Sequence, residues 1–149
     1  MREERGAAAL LAVCAMAAVL MMAMGLHMVV KYGAQGSEEF WQETRMRLAA
    51  EGQVERLARE IENNPAVLDA LPKGTWQPYG GEHREDGLLV TASLRHISAR
   101  PEGEEEDIFL KAWAEAEEKP HWSKGKIVCG HLYRKGDKCD WRGWRKVEE

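Results

Sequence analysis

The stretch AAALLAVCAMAAVLMMAMGLHMVV, residues 7–30, decides the fold of this chain, because it is a long apolar run without Asp, Glu, Lys or Arg. At about 1.5 Å of rise per residue, a helix over this run is about 36 Å long, and a bilayer's hydrocarbon core is about 30 Å thick. A charged leader, residues 1–6, precedes the run. The sequence therefore predicts a single-pass transmembrane helix over residues 7–30.

Three kinds of N-terminal segment begin with a leader and an apolar run: a cleaved secretory signal, an uncleaved anchor, and a signal whose leader is removed while the helix is kept. A secretory signal has an apolar core of about 7–15 residues followed by a small-x-small cleavage site. Here the run is longer, and the triplet Ala7 to Ala9 lies before it. A retained helix is therefore favoured. Arg2 and Arg5 before the helix favour a cytoplasmic amino terminus, because acidic residues count little in the positive-inside rule.

Two short motifs carry a family resemblance. The junction ERGAAALLAV, residues 4–13, resembles the start of type IV pilins and type II secretion pseudopilins, especially those with a PilX-like N-terminus. The stretch LAAEGQVERLA, residues 48–58, is similar to the "A-E-x-G-x-x-x-A" pattern that these pilins show at this distance from their N-terminus. The resemblance covers about the first sixty residues and extends only loosely to the C-terminal strand.

The resemblance implies a processing site and a set of partners. In this family a prepilin peptidase cuts after the Gly that corresponds to Gly6, and the new amino terminus, here Ala7, is N-methylated. The mature subunit is anchored in the inner membrane and assembles with other pilin or pseudopilin subunits. Major pilins carry Glu at the fifth position of the mature chain, where this chain has Leu11. A carboxylate in lipid is costly without a partner, so its absence points to a minor subunit.

An amphipathic extension of the helix is predicted over residues 31–63. The glycines near residues 33–36 predict a kink or a melted turn, after which Ser37 caps a new segment. Pro65 ends the helix because proline cannot continue its hydrogen-bond ladder. The predicted apolar stripe consists of Phe40, Trp41, Thr44, Leu48, Val54, Leu57, Ala58 and Ile61.

A connector rich in Pro and Gly is predicted over residues 64–86, followed by a small antiparallel β domain over residues 87–149. Alternation predicts a strand over 87–98 and favours a strand over a helix at 108–118. The predicted hairpin joins strands 126–134 and 139–147. The expected fold class is α+β, with one long N-terminal helix packed on a sheet of four strands, as the pilin resemblance also implies.

The cysteines of the β domain allow two interpretations. Export of this domain would place Cys129 and Cys139 in an oxidising compartment, where a disulfide between them is plausible. A hairpin centred on Gly136 does not put the two directly opposite each other, which weakens that prediction. The alternative is a zinc site of Cys129, His131, Cys139 and Asp140, but the C-x-x-C spacing typical of zinc sites is missing. We therefore expect no metal.

Composition argues against several other function classes. The formal net charge is −4, and the charges are mixed in sign, so no broad basic patch predicts nucleic-acid binding. The basic, Trp-rich stretch over residues 122–146 is more typical of a packed sheet with a solvated charged face. The histidines are scattered, without a nucleophile motif or a phosphate-binding loop. The sequence predicts a structural assembly subunit without a cofactor, not an enzyme.

Overall fold

The structure is a computed structural model, and it describes residues 2–99, 105–118 and 124–146, with side chains from residue 9 onward. In chain order it contains the helix α1, a 3-10 helix and the strands β1 to β5. The chain divides into two compact units, Met1–Trp41 and Gln42–Glu149. The first unit is helical, and the second contains the sheet.

Helix α1 extends over Arg2–Asn63. It is helical throughout residues 31–37, so the predicted melted turn there, with Ser37 as the cap of a new segment, is wrong. The glycines cost about 1 kcal/mol each relative to alanine, but unlike proline they keep the N–H that the helical ladder needs. The predicted end is correct: α1 stops at Asn63, and the 3-10 helix Pro65–Ala70 follows.

The sheet is an antiparallel meander in which every strand pairs with its neighbour in sequence, in the order β1-β2-β3-β4-β5. Its strands are β1 Gln77–Glu85, β2 Leu88–Ser98, β3 Glu105–Ala116, β4 Lys126–Lys135 and β5 Lys138–Arg145. The α+β class, the strand at 108–118 and the C-terminal hairpin are confirmed.

Strand β1 was not predicted, because it lies inside the predicted connector 64–86. Pro78, Gly80 and Gly81 indicate a break, yet an edge strand tolerates proline, and a bulge accommodates an irregular stretch. The register against β2 shifts between Pro78 and Glu82. Gly80 and Gly81 both have positive φ there, at 80° and 69°. The sheet therefore has five strands instead of four.

One face of the sheet, the inner face, packs against α1 and the 3-10 helix. Every second residue of β2 and β3 is buried on this face. The helix residues in this core are Met46, Ala50, Val54, Leu57, Ala58 and Ile61. The C-terminal half of the predicted stripe is thus confirmed. Its N-terminal half is wrong, since Met46 and Ala50 are buried while Leu48 is 55% exposed. Leu48 follows Met46 by about 200° around the helix and points away from the sheet.

Candidate functional site

The apolar part of α1 is one candidate functional surface. The helix is long and apolar enough to cross a membrane, and its apolar window has no residue buried within the protein. From Leu10 to Val30 its large side chains are all exposed, and Leu11 is 70% exposed. Gly6 and Ala7 lie within the first turns of the same helix. The predicted processing site and the apolar surface therefore lie on one element.

The two sheet cysteines are free thiols, which overturns the predicted disulfide. In the β4–β5 register Cys129 lies opposite Arg145, and Cys139 lies opposite Arg134. Arg134 is five residues further along β4 than Cys129, a separation of about 17 Å at about 3.3 Å per residue. Disulfides need Cα atoms within about 7 Å. Burial raises the pKa of both thiols.

The zinc alternative fails on the same geometry. Cys129 lies opposite Lys111 on the outer face of the sheet, the face turned away from α1. Cys139 packs against the core on the inner face. A tetrahedral zinc site needs its ligands within about 2.3 Å of one point, so these thiols cannot share an ion. Within residues 2–99, 105–118 and 124–146, no three His, Cys, Asp or Glu side chains form a group that could hold a metal.

A cluster of charged side chains lies at one end of the inner face. Glu106, 6% exposed, forms ion pairs with Lys73 and, at 3.5 Å, with Arg134. Arg134 also donates to Asp69 at 2.7 Å. His96 is 1% exposed; its Nδ1 lies 3.5 Å from Glu106, and its Nε2 donates to the Leu71 carbonyl oxygen at 3.1 Å. The cluster fastens the segment after the 3-10 helix to β2, β3 and β4.

The pKa values in this cluster follow its charges. Burial alone would raise the pKa of the Glu106 carboxyl, but Lys73 and Arg134 hold it below its ordinary value. The hydrogen bond from Arg134 lowers the pKa of Asp69, and the same bond raises the pKa of Arg134. At neutral pH the carboxylates of Glu106 and Asp69 are therefore negative and face the positive guanidinium of Arg134. This arrangement is typical of an ion-pair cluster that stabilises the packing of neighbouring elements, because its charged groups already bind one another.

The outer face of the sheet carries aromatic side chains with cations over their rings. Phe109 and His131 stack at 5.0 Å between ring centroids. His131 also pairs with Asp107 at 2.7 Å. Arg145 lies 5.3 Å from the Phe109 ring centroid, and Arg142 lies 5.0 Å from that of Tyr133. The described helices pack on the other face, and Phe109, His131 and Tyr133 are half-buried on this one.

A groove of about 380 Å³ crosses this outer face between the β1 bulge and strands β2 and β3. Its wall is the Trp113 indole, which is 37% exposed. Thr91 and Ser93 lie opposite Trp113 and Lys111 in the β2–β3 register and contribute the floor. The lining consists of Pro78, Gly81, Glu82, Thr91, Ala92, Ser93, Lys111 and Trp113.

A second, larger cleft of about 690 Å³ lies within the Gln42–Glu149 unit, between α1 and the ends of β2 and β3. Arg45 crosses it and donates to the Asp86 carbonyl oxygen at 3.0 Å. The cleft is lined by Gln42, Arg45, Met46, Asp86, Gly87, Leu88, Ala116, Glu117 and Glu118. Its arginine is already engaged, and its three carboxylates are all at the surface.

The sequence did not predict either groove. Alternation within β2 puts Thr91 and Ser93 on one face of that strand, but only the β2–β3 register shows that Trp113 lies on the same face of the sheet. Lys111 lies two residues before Trp113 and shares its face by the same alternation, whereas Glu82 joins the groove through β1, which the sequence did not predict.

Comparison with known proteins adds no family assignment. No protein-family model, no curated protein and no solved structure matches this chain. Its function is therefore inferred from its own residues.

Proposed function

We propose that this chain is a minor pilin or pseudopilin: a single-pass subunit of the inner membrane that is cut by prepilin peptidase between Gly6 and Ala7, methylated at Ala7, and assembled through its apolar helix. The observation that carries the proposal is the apolar segment of α1, whose large side chains are exposed directly after the predicted cleavage site. In water such a surface needs lipid or other helices to cover it.

Leu11 supports a minor role within such a filament. Its side chain is apolar and 70% exposed at the fifth position of the mature chain. A subunit without a carboxylate at this position cannot form an ion pair there with a neighbouring amino terminus. It retains the dispersion contacts and the lipid-like surface that let helices pack side by side. The chain would therefore join a filament made by other subunits, near its tip, with its sheet displayed outside.

The partners and orientation follow from this proposal. The leader with Arg2 and Arg5 faces the cytoplasm, where prepilin peptidase reaches it, and the Gln42–Glu149 unit is exported. The partners are prepilin peptidase and other pilin or pseudopilin subunits, and the assembled form lies in a type IV pilus or a secretion pseudopilus. The role is mechanical and needs no cofactor and no catalysis.

The mature amino terminus tests the proposal. The full chain is co-expressed with a prepilin peptidase, extracted from membranes and analysed by intact-mass and N-terminal peptide mass spectrometry. We expect N-methyl-Ala7 as the first residue. An intact Met1 would contradict the proposal and favour an uncleaved single-pass anchor that presents the sheet for extracytoplasmic binding. A cut after Val30 would instead favour a secretory signal.

A pair of matched variants makes the test specific. Gly6→Asp places a charged side chain at the proposed cleavage site, and we expect it to block processing. Gly36→Asp makes the same change at an exposed helical glycine outside the apolar run, where nothing lies within 4 Å, and should leave processing unchanged. Normal maturation of Gly6→Asp would exclude this cleavage site.

A further inference from the structure

The outer groove contains a tryptophan that is held in place before any ligand arrives. The Trp113 ring lies close to Gly125, where an added Cβ would come within 2.4 Å of ring atom Cζ2. Its Nε1 donates to Glu115 at 3.3 Å. The indole therefore loses little freedom on binding, which reduces the entropic cost of a contact.

Polar side chains occupy four of the other positions that line the groove, Glu82, Thr91, Ser93 and Lys111. Thr91 and Ser93 provide hydroxyl groups next to the indole, and each hydroxyl can donate and accept. Lys111 stands at one rim with its Nζ 4.5 Å from the Trp76 ring centroid. Glu82 lines the groove as well and provides acceptors of the opposite charge. The groove thus combines one flat apolar wall with donors and acceptors whose charges balance.

This chemistry matches a ligand that is flat and apolar on one side and carries hydroxyl groups around its edge. A hexopyranose ring has these properties, with C–H groups on its faces and hydroxyls at its rim. Single-stranded nucleic acid fits poorly, because phosphate recognition requires an excess of cations and this groove has Lys111 balanced by Glu82. A polyproline peptide docks between several aromatic ridges, whereas the lining includes a single aromatic residue, Trp113.

We infer that the groove is a saccharide-binding site for neutral hexose units of a polysaccharide or oligosaccharide chain. One pyranose ring stacks on Trp113, and its hydroxyls exchange hydrogen bonds with Thr91, Ser93, Lys111 and Glu82. The groove volume of about 380 Å³ is large enough for a pyranose ring. The inference goes beyond the proposed function and does not depend on it, because the site belongs to the folded sheet and not to the processed N-terminus.

The experiment uses the full chain with ¹⁵N-labelled tryptophan indoles. The protein is held in lauryldimethylamine oxide micelles, because maltoside detergents present sugar headgroups that would compete. Maltohexaose, cellohexaose and laminarihexaose are titrated separately, and the indole ¹H–¹⁵N resonances are followed. We expect saturable shifts of the Trp113 and Trp76 resonances with at least one of them, while the Trp144 resonance on the other face stays constant.

Variants locate the binding. Trp113→Ala should weaken the affinity about tenfold, as expected for the loss of an aromatic contact. The matched control Trp144→Ala removes an indole that is 46% exposed on the inner-face side and should leave the affinity unchanged. Thr91→Val preserves side-chain shape while removing a hydroxyl and should weaken binding several-fold. It tests the site even if Trp113→Ala does not fold.

Three results would overturn the inference. The first is the absence of saturable shifts with all three oligosaccharides at concentrations up to about 10 mM, which would detect millimolar affinity. The second is binding that neither Trp113→Ala nor Thr91→Val reduces. The third is saturable binding of a decaproline peptide to the same resonances without binding of any sugar, which would assign the groove to a peptide.

Discussion

A close approach between the sheet and α1 yields a quantitative prediction. Leu57 is fully buried on α1, and Gly80 of the β1 bulge passes directly over it with φ of 80°. A Cβ placed on Gly80 would lie 2.6 Å from Leu57 Cδ2 and 3.2 Å from Cδ1. Each residue therefore limits what the other position can hold. The test is a double-mutant cycle of Leu57→Ala and Gly80→Ala, measured as changes in the free energy of unfolding.

The expected magnitudes follow from burial and backbone geometry. Leu57→Ala removes a fully buried side chain and should cost about 3 kcal/mol, within the range of roughly 2–5 kcal/mol for such cavities. Gly80→Ala should cost about 1–2 kcal/mol for its positive φ. It should cost a further ~1–2 kcal/mol for the overlap with Leu57. In the double variant the new methyl group enters the space that Leu57 leaves. The double variant should therefore be less destabilised than the sum by about 1–2 kcal/mol.

The assay is urea unfolding of the full chain at fixed micelle concentration, followed by tryptophan fluorescence. Gly74→Ala is the matched control, because Gly74 also has positive φ, 86°, but has nothing within 4 Å of an added Cβ. It should cost only the backbone term and should add to Leu57→Ala within about 0.5 kcal/mol. If the costs of Gly80→Ala and Leu57→Ala also added within about 0.5 kcal/mol, the steric coupling between Gly80 and Leu57 would be refuted.

Three further predictions concern ionisable groups. The folded pKa of Glu106 lies below its ordinary value of 4.5. Its stabilising contribution should therefore be present above pH 4.5 and disappear as the pH falls through the folded pKa. Urea unfolding of Glu106→Gln should show a flatter loss of stability with acid than the unsubstituted chain. Burial and Glu60 raise the pKa of Tyr79 to about 12, so ultraviolet titration should show one tyrosine that ionises at higher pH than the others. The free energy of unfolding should fall between pH 10 and 12, because the unfolded chain loses this proton first. Glu60→Gln should lower the pKa of Tyr79. Iodoacetamide should modify Cys139 before the buried Cys129, and a mass unchanged by reductant should show that no disulfide joins them.

The part of the fold that the sequence predicts correctly is the part that local pattern determines. In β2, apolar residues alternate from Leu88 to Leu94, and these are the residues that face α1. The hairpin has a two-residue turn at Gly136, whose positive φ of 59° suits such a turn. The face of β2 is thus predicted by its two-residue period, and the hairpin by its turn glycine, and neither requires a contact that is distant in the sequence.

The predictions that failed depend on distant contacts. Pro78, Gly80 and Gly81 indicate a loop when read alone, yet pairing with β2 makes the segment a strand. The apolar stripe of α1 was placed too far toward Phe40, because the position of the sheet along the helix is not encoded in the helix itself. The disulfide failed because it depends on register, which changes a Cys–Cys distance by several ångströms per residue.

The two faces of the sheet have separate physical tasks. The inner face packs against α1 between Met46 and Ile61 and contains the charge cluster around Glu106, so substitutions there change the free energy of folding. On the outer face, Thr91, Ser93 and Lys111 line a groove without belonging to the core. Surface substitutions away from buried contacts usually change stability by less than about 0.5 kcal/mol. Residues of the groove can therefore vary with the ligand while the packing against α1 is preserved, and stability and recognition can be altered independently in this chain.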